Sequence, residues 1–230
     1  MSLPQRADEQ PSPPRGARLL VVVAVAAEAE AVLRGAPDGR VTVVTAGVGP
    51  AAAACATALA LAAERHPLVI SAGIAGGFAP LAPIGSVVAA DAIIAADLGA
   101  QTPDGFQDVA ELGFGTVRHT PPPAALTLLA EATGAVVGPV LTVSTVTGSA
   151  DRAAELTGRH PGAVAEAMEG FGVAEAAARC GVPALELRTV SNAVGPRDRA
   201  AWRIGEALAA LERAFAALPY DRLTALHPLD

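Results

Sequence analysis

Three short polar clusters interrupt a chain otherwise rich in Ala, Val, Leu and Gly: Glu28 with Glu30, Met168 with Glu169, and Ser191-Asn192 followed by Arg197. A carboxylate held against a wall of alanines loses hydration, holds a proton more readily, and can then draw one from water near neutral pH. Either Glu28 or Glu30 can do this if it faces inward; on the outer face of a helix it is a solvated surface group. Glu169 falls where a helix should begin, and the helix dipole favours a carboxylate there. It either caps that helix or, with two acceptor oxygens, takes the vicinal hydroxyls of a sugar. Met168 beside it supplies a soft apolar surface for a sugar or a base. Asn192 carries an NH₂ donor and a carbonyl acceptor, and Ser191 can orient it or touch the same ligand. His66, His119, His160 and His227 have no spacing that suggests a metal site or a triad, so neither metal nor cofactor is expected.

The elements that must hold these groups alternate. RLLVVVAV reads as a central strand, AAEAEAVLR as a short helix, VTVVTAG as a second buried strand, and PAAAACATALALAAERH as a helix opened by Pro50. LVISAG is a third strand, followed by a glycine-rich turn over residues 73–77. GSVVAADAIIAADLG adds one or two strands more. Gly47-Val48-Gly49 and the turn containing Gly76 let backbone approach a ligand with no Cβ in the way; neither matches a dinucleotide or triphosphate motif. Residues 99–123 form a long irregular excursion carrying Phe106 and Phe114. Such loops close over sites, contact subunits or simply pack. Next come a helix from about Ala124, a strand around VVGPVLTV and a helix from about Ala150. A helix after Met168 ends at Gly181, the strand PALELRTVSNAVG follows, and a last helix spans roughly 198–218. This succession predicts an α/β three-layer sandwich around a twisted, largely parallel mixed sheet, with ligands gathered at the carboxyl ends of the strands.

Composition narrows the partners. A hydrophobic content of 52% over 230 residues suits one sizeable core, and 3% aromatics means that core is built from small aliphatic side chains. A single domain is expected over 18–230, preceded by a loose tail over 1–17. A formal net charge of −7 without a basic cluster argues against nucleic acid. No signal-peptide pattern opens the chain, and no apolar run reaches the ~20 residues of a membrane span, so a cytoplasmic protein without membrane contact is expected. Cys55 and Cys180, in apolar helical surroundings, are expected to be buried reduced thiols.

Taken in order, Ala27-Glu28-Ala29-Glu30, Ala46-Gly47-Val48-Gly49-Pro50, Ser71 to Gly77, Ala167-Met168-Glu169-Gly170 and Arg188-Thr189-Val190-Ser191-Asn192 resemble the nucleoside phosphorylase and nucleosidase superfamily. The likeness is closest to its nucleosidase branch, which includes the methylthioadenosine/S-adenosylhomocysteine nucleosidases. The resemblance implies that Glu30 activates water, that Met168 and Glu169 hold the ribose, and that the residue after Ser191 contacts the purine. Asn192 stands where the adenine-specific pattern has an acid. The stretch from Ser191 to Asp198 followed by Trp202, with residues 97–106, is similar to the futalosine hydrolase branch. That likeness implies a hypoxanthine nucleoside as substrate. AVAAEAEAV and LVISAGIAGG carry no arginine for a phosphate, which favours water as nucleophile; Arg197 is the nearest candidate for the substrate's carboxylate, and few charges on the apolar elements suggest a homodimer or higher homo-oligomer, as related nucleosidases form. Asn fits the departure chemically: its NH₂ can serve O6 of hypoxanthine, whose lone pairs a carboxylate would repel.

Overall fold

The computed structural model describes residues 17–227; the tail expected over 1–17 falls, but for its last residue, outside them. β1 (Leu19–Val23) is buried along its whole length because it is central, with β2 (Val41–Thr45) and β3 (Val69–Gly77) parallel to it on either side. β3 continues to β10 (Ala184–Ala193) in parallel, and β10 turns antiparallel onto β4 (Val87–Ala95). β4 runs parallel to β8 (Val136–Thr142), β8 to the short β9 (Ala165–Ala167), and β9 returns antiparallel to β3. The mixed sheet therefore closes a ring of five strands and extends as an open wing through β1 and β2.

Helices cover both faces, as the sandwich reading requires. α1 (Ala26–Gly35), α3 (Pro123–Thr133), α6 (Ile204–Ala217) and α7 (Tyr220–Ala225) pack over one core built on Leu19, Val21, Ile70 and Leu187. α2 (Pro50–Ala63) and α5 (Gly170–Arg179) cover the other face over Leu20, Val22 and Val69. α4 (Ala150–Arg159), capped by the Ser149 hydroxyl, lies beyond β8. The long excursion contains a hairpin of β5 (Gly99–Thr102) with β6 (Gly105–Asp108) and a two-residue strand β7 (Arg118–His119) against β4.

Two local expectations change. The glycines after Ala72 do not turn the chain; they are the second half of β3. A Cβ on Gly77 would lie 2.1 Å from the Ala82 carbonyl oxygen, so this glycine permits close backbone approach within an extended strand. Cys55 and Cys180 are exposed free thiols rather than buried ones. Cys55 sits on the outer face of α2, where helical periodicity cannot tell the covered from the uncovered side because both are apolar.

Candidate active site

The carboxyl ends of β1, β3 and β10 converge on four buried charged side chains. Glu28, in the first turn of α1, faces inward at 3% exposure. Its Oε2 accepts from the N–H groups of Ala24 (2.9 Å) and Val25 (3.2 Å), and its Oε1 accepts from Ile74 N–H (2.9 Å). Gly73, at φ +151°, makes room: a Cβ there would lie 2.4 Å from Glu28 Oε1 and 3.0 Å from Arg188 Nη1. Arg188 is fully enclosed. It donates to Glu186 Oε1 (2.8 Å) and to Ser71 Oγ (3.0 Å), and it pairs with Glu169 Oε2 at 3.2 Å. Burial disfavours the guanidinium charge, but Glu186, Glu169 and Glu28 together outweigh it and hold Arg188 above its ordinary pKa. Burial also pushes the Glu186 carboxyl up against the pull of Arg188, and its Oε2 has no hydrogen-bond partner.

Glu169 stands at the N-cap of α5 without capping it. Its oxygens accept from Gly49 N–H and Met168 N–H, both at 3.3 Å, so the carboxylate joins the turn before α2 to the Arg188 cluster. Met168 beside it is half-buried. Farther along β10, Asn192 pairs with Gly76 of β3, and Ser191, at the register shift just before it, donates from Oγ to the Ala75 carbonyl (3.3 Å). Ser191 Oγ lies 2.9 Å from Asn192 Oδ1, and Asn192 Nδ2 lies 3.1 Å from the Ala193 carbonyl oxygen. A backbone carbonyl can only accept, so this contact fixes which end of the amide is NH₂. A cleft opens over Asn192 and Gly76, bounded by Val146, Glu166, Arg197 and Trp202. Strand rise places it about 7–10 Å along β3 from the Glu28 end, the span of a nucleoside.

Most of the expected site residues are gathered at these two places: Gly76, Asn192 and Arg197 border the cleft, Arg197 near Trp202 at its exposed rim, Ser191 stands beside Asn192, and Met168 and Glu169 adjoin the Arg188 cluster. Glu30 is not. Two residues along a helix rotate the side chain by about 200°, and Glu30 lies on the exposed face of α1 while Glu28 faces the cluster. Of the two, Glu28 is the one whose carboxylate the site holds in place. Arg188, Glu186 and Glu166 had no expected role. For Glu186 and Arg188 the signal in the sequence was a charge inside an apolar strand, and two apart in a strand they must share a face. Phe106 packs under the Arg159 guanidinium at 4.2 Å, and Phe114 is 82% exposed.

The phosphorylase superfamily model matches residues 21–223. Futalosine hydrolase of Streptomyces coelicolor is 61% identical, over 84% of this chain and 91% of its own length, and futalosine hydrolase of Acidothermus cellulolyticus is 50% identical, over 86% and 89%. The chain belongs to the futalosine hydrolase family of the phosphorylase superfamily. Its fold is also that of the 5′-methylthioadenosine/S-adenosylhomocysteine nucleosidase of Neisseria meningitidis solved with methylthio-immucillin-A. That structure superposes with a TM-score of 0.75 at 19% identity, covering 89% of this chain and 99% of the other. No helix among the described residues is long and apolar enough to cross a membrane.

Proposed function

We propose that the protein hydrolyses the N-ribosidic bond of futalosine, releasing hypoxanthine and leaving dehypoxanthine futalosine, a step of menaquinone biosynthesis in the cytoplasm. The observation that carries the choice of base is Asn192, whose NH₂ is fixed by the Ala193 carbonyl and whose second N–H is free for O6. Cleavage begins with stretching of the bond to the purine, and positive charge grows on the ribosyl ring. Glu169 holds the ribose hydroxyls, and Glu169 and Glu28 together stabilise that charge electrostatically. Three backbone N–H groups already serve Glu28. It therefore orients a water by accepting its hydrogen bond and takes the proton as the water bonds to the cationic carbon. Asn192 donates no proton outright; it assists departure by hydrogen-bonding to the purine, whose proton comes from solvent. At the rim Arg197 meets the substrate carboxylate, with Trp202 between it and Arg199, each guanidinium 5.8 Å from the ring centroid.

Water rather than phosphate is the nucleophile in this reading. Arg188 is the cation of the cluster and is engaged by Glu186 and Glu169, which leaves an electronegative floor that repels an anion. The test is incubation with futalosine, inosine and methylthioadenosine, each with and without phosphate, with detection of free base and sugar. Hypoxanthine release from futalosine at a rate independent of phosphate is expected. Faster cleavage of methylthioadenosine, or a pentose 1-phosphate product, would overturn the reading.

A further inference from the structure

The purine end of the cleft holds a carboxylate that bond cleavage does not use. Glu166, the middle residue of β9, pairs with Gly76 on one side of β3, and Asn192 pairs with the same Gly76 on the other. Paired residues on neighbouring strands project to one face, so Glu166 and Asn192 flank Gly76 with roughly 10 Å between their backbones, and both border the cleft. Gly76 leaves the floor bare: a Cβ there would stand 2.8 Å from Val194 Cγ2 and 3.3 Å from Asn192 Nδ2.

Glu166 is 6% exposed. Its Oε1 accepts from Thr147 N–H at 2.8 Å and its Oε2 from the Thr147 hydroxyl at 2.5 Å. Burial pushes its pKa up, and the two Thr147 contacts pull part of the way back, because they favour the ionised form. An ionised carboxylate has about four acceptor positions. Thr147 fills two, and those left can serve a donor in the cleft.

We propose that Glu166 accepts the N1–H of the purine while Asn192 donates to O6, so that the two side chains across Gly76 select a 6-oxopurine. This rests on the purine-nucleoside reading above and adds the element that excludes adenine. A 6-aminopurine presents the reverse pattern: an NH₂ group against the Asn192 NH₂, and a bare N1 lone pair against the carboxylate. Asn192, its NH₂ end set by the Ala193 carbonyl, reads only position 6; Glu166 reads N1, and a carboxylate cannot be turned into a donor without taking up a proton.

Calorimetric titration of the free protein with hypoxanthine, 1-methylhypoxanthine and adenine tests this without relying on turnover. Wild type should bind hypoxanthine at least about ten-fold more tightly than either other base, because each mismatch leaves a buried polar group unpaired. Glu166→Ala should bring the three affinities to within about three-fold, and Glu166→Gln, which keeps an acceptor oxygen, should fall between. An unchanged preference in Glu166→Ala overturns the assignment, and so does a wild type indifferent to methylation at N1, which decides the matter even if that variant does not fold. Parallel futalosine hydrolysis by wild type separates the two readings. Turnover with an indifferent N1 removes Glu166 alone, and no release of hypoxanthine from futalosine removes both.

Discussion

Three N–H donors hold the Glu28 carboxylate in one orientation, and in the proposed reaction that fixed carboxylate anchors the water that meets the ribosyl cation. Glu28→Gln should lower kcat by roughly 10² or more with little change in KM, since it removes the negative charge and the proton acceptor but keeps the shape. Glu30→Gln, on the exposed face of the same helix, should stay within about two-fold of wild type. Steady-state kinetics on both variants distinguishes the two glutamates, and a large loss in Glu30→Gln alone would reverse the assignment. At the other end, Asn192→Asp sets a negative charge against O6. It should shift the kcat/KM ratio toward adenine ribosides by roughly ten- to a hundred-fold, measured on inosine and methylthioadenosine. Residue types were legible in the sequence here, because few polar groups sit among so many alanines. Which of two glutamates faces inward was not: α1 opens with alanines on all sides, and alanine carries too little apolar bulk to mark a buried face.

At the scale of elements the site depends on two close approaches. α5 crosses α2 where Gly172 meets Pro50: a Cβ on Gly172 would lie 2.0 Å from the Pro50 carbonyl oxygen, which is backbone and cannot swing away. Gly49, just before Pro50, donates to Glu169, just before α5, so the crossing that packs the helices also sets the Glu169 carboxylate, proposed to hold the ribose. Gly172→Ala should force the helices apart and cost about 1–3 kcal/mol, lowering Tm by roughly 2–4 °C per kcal/mol for a chain of this size. Because Glu169 moves with α5, KM for nucleosides should rise in the same variant. A thermal scan and kinetics on one preparation check both, and a lower Tm with unchanged KM would separate the crossing from the ribose site. The order of strands and helices was readable from continuous apolar runs and turn residues. β9 was not, for three residues carry no period, and neither was the closing of the ring through it. The glycine-rich half of β3 read as a turn because glycine's usual signal is a turn. Its cause here is tertiary: Glu28, Val194 and Ala82 press against positions where a side chain would have to be.

Over the whole molecule one surface lacks the polarity its exposure requires. The outer face of α2 presents Ala51, Cys55, Ala58, Leu59 and Ala62, all exposed and none charged, with Leu59 at 67%. A groove beside it is lined by Pro50, Ala54, Leu98 and Phe171, and Val48 is 56% exposed at the turn before the helix. A lone chain would carry this contiguous apolar patch in water, whereas a two-fold partner laying the same face against it would remove it. Association is also compatible with the net charge of −7, since the α2 face itself carries no charge and the two carboxylates beside it, Asp97 and Glu175, lie in the groove. The protein is therefore expected to sediment at twice the chain mass at micromolar concentration. Leu59→Glu, which buries an unpaired carboxylate in the contact, should shift it toward monomer. Thiol labelling supplies an independent readout. Cys180, at the end of α5 beside Arg65 and Val182, should react in wild type. Cys55, in the middle of the α2 face, should be protected in wild type and become reactive in Leu59→Glu. A monomeric mass with both thiols equally reactive would mean that α2 faces water, and the apolar surface would then need another occupant.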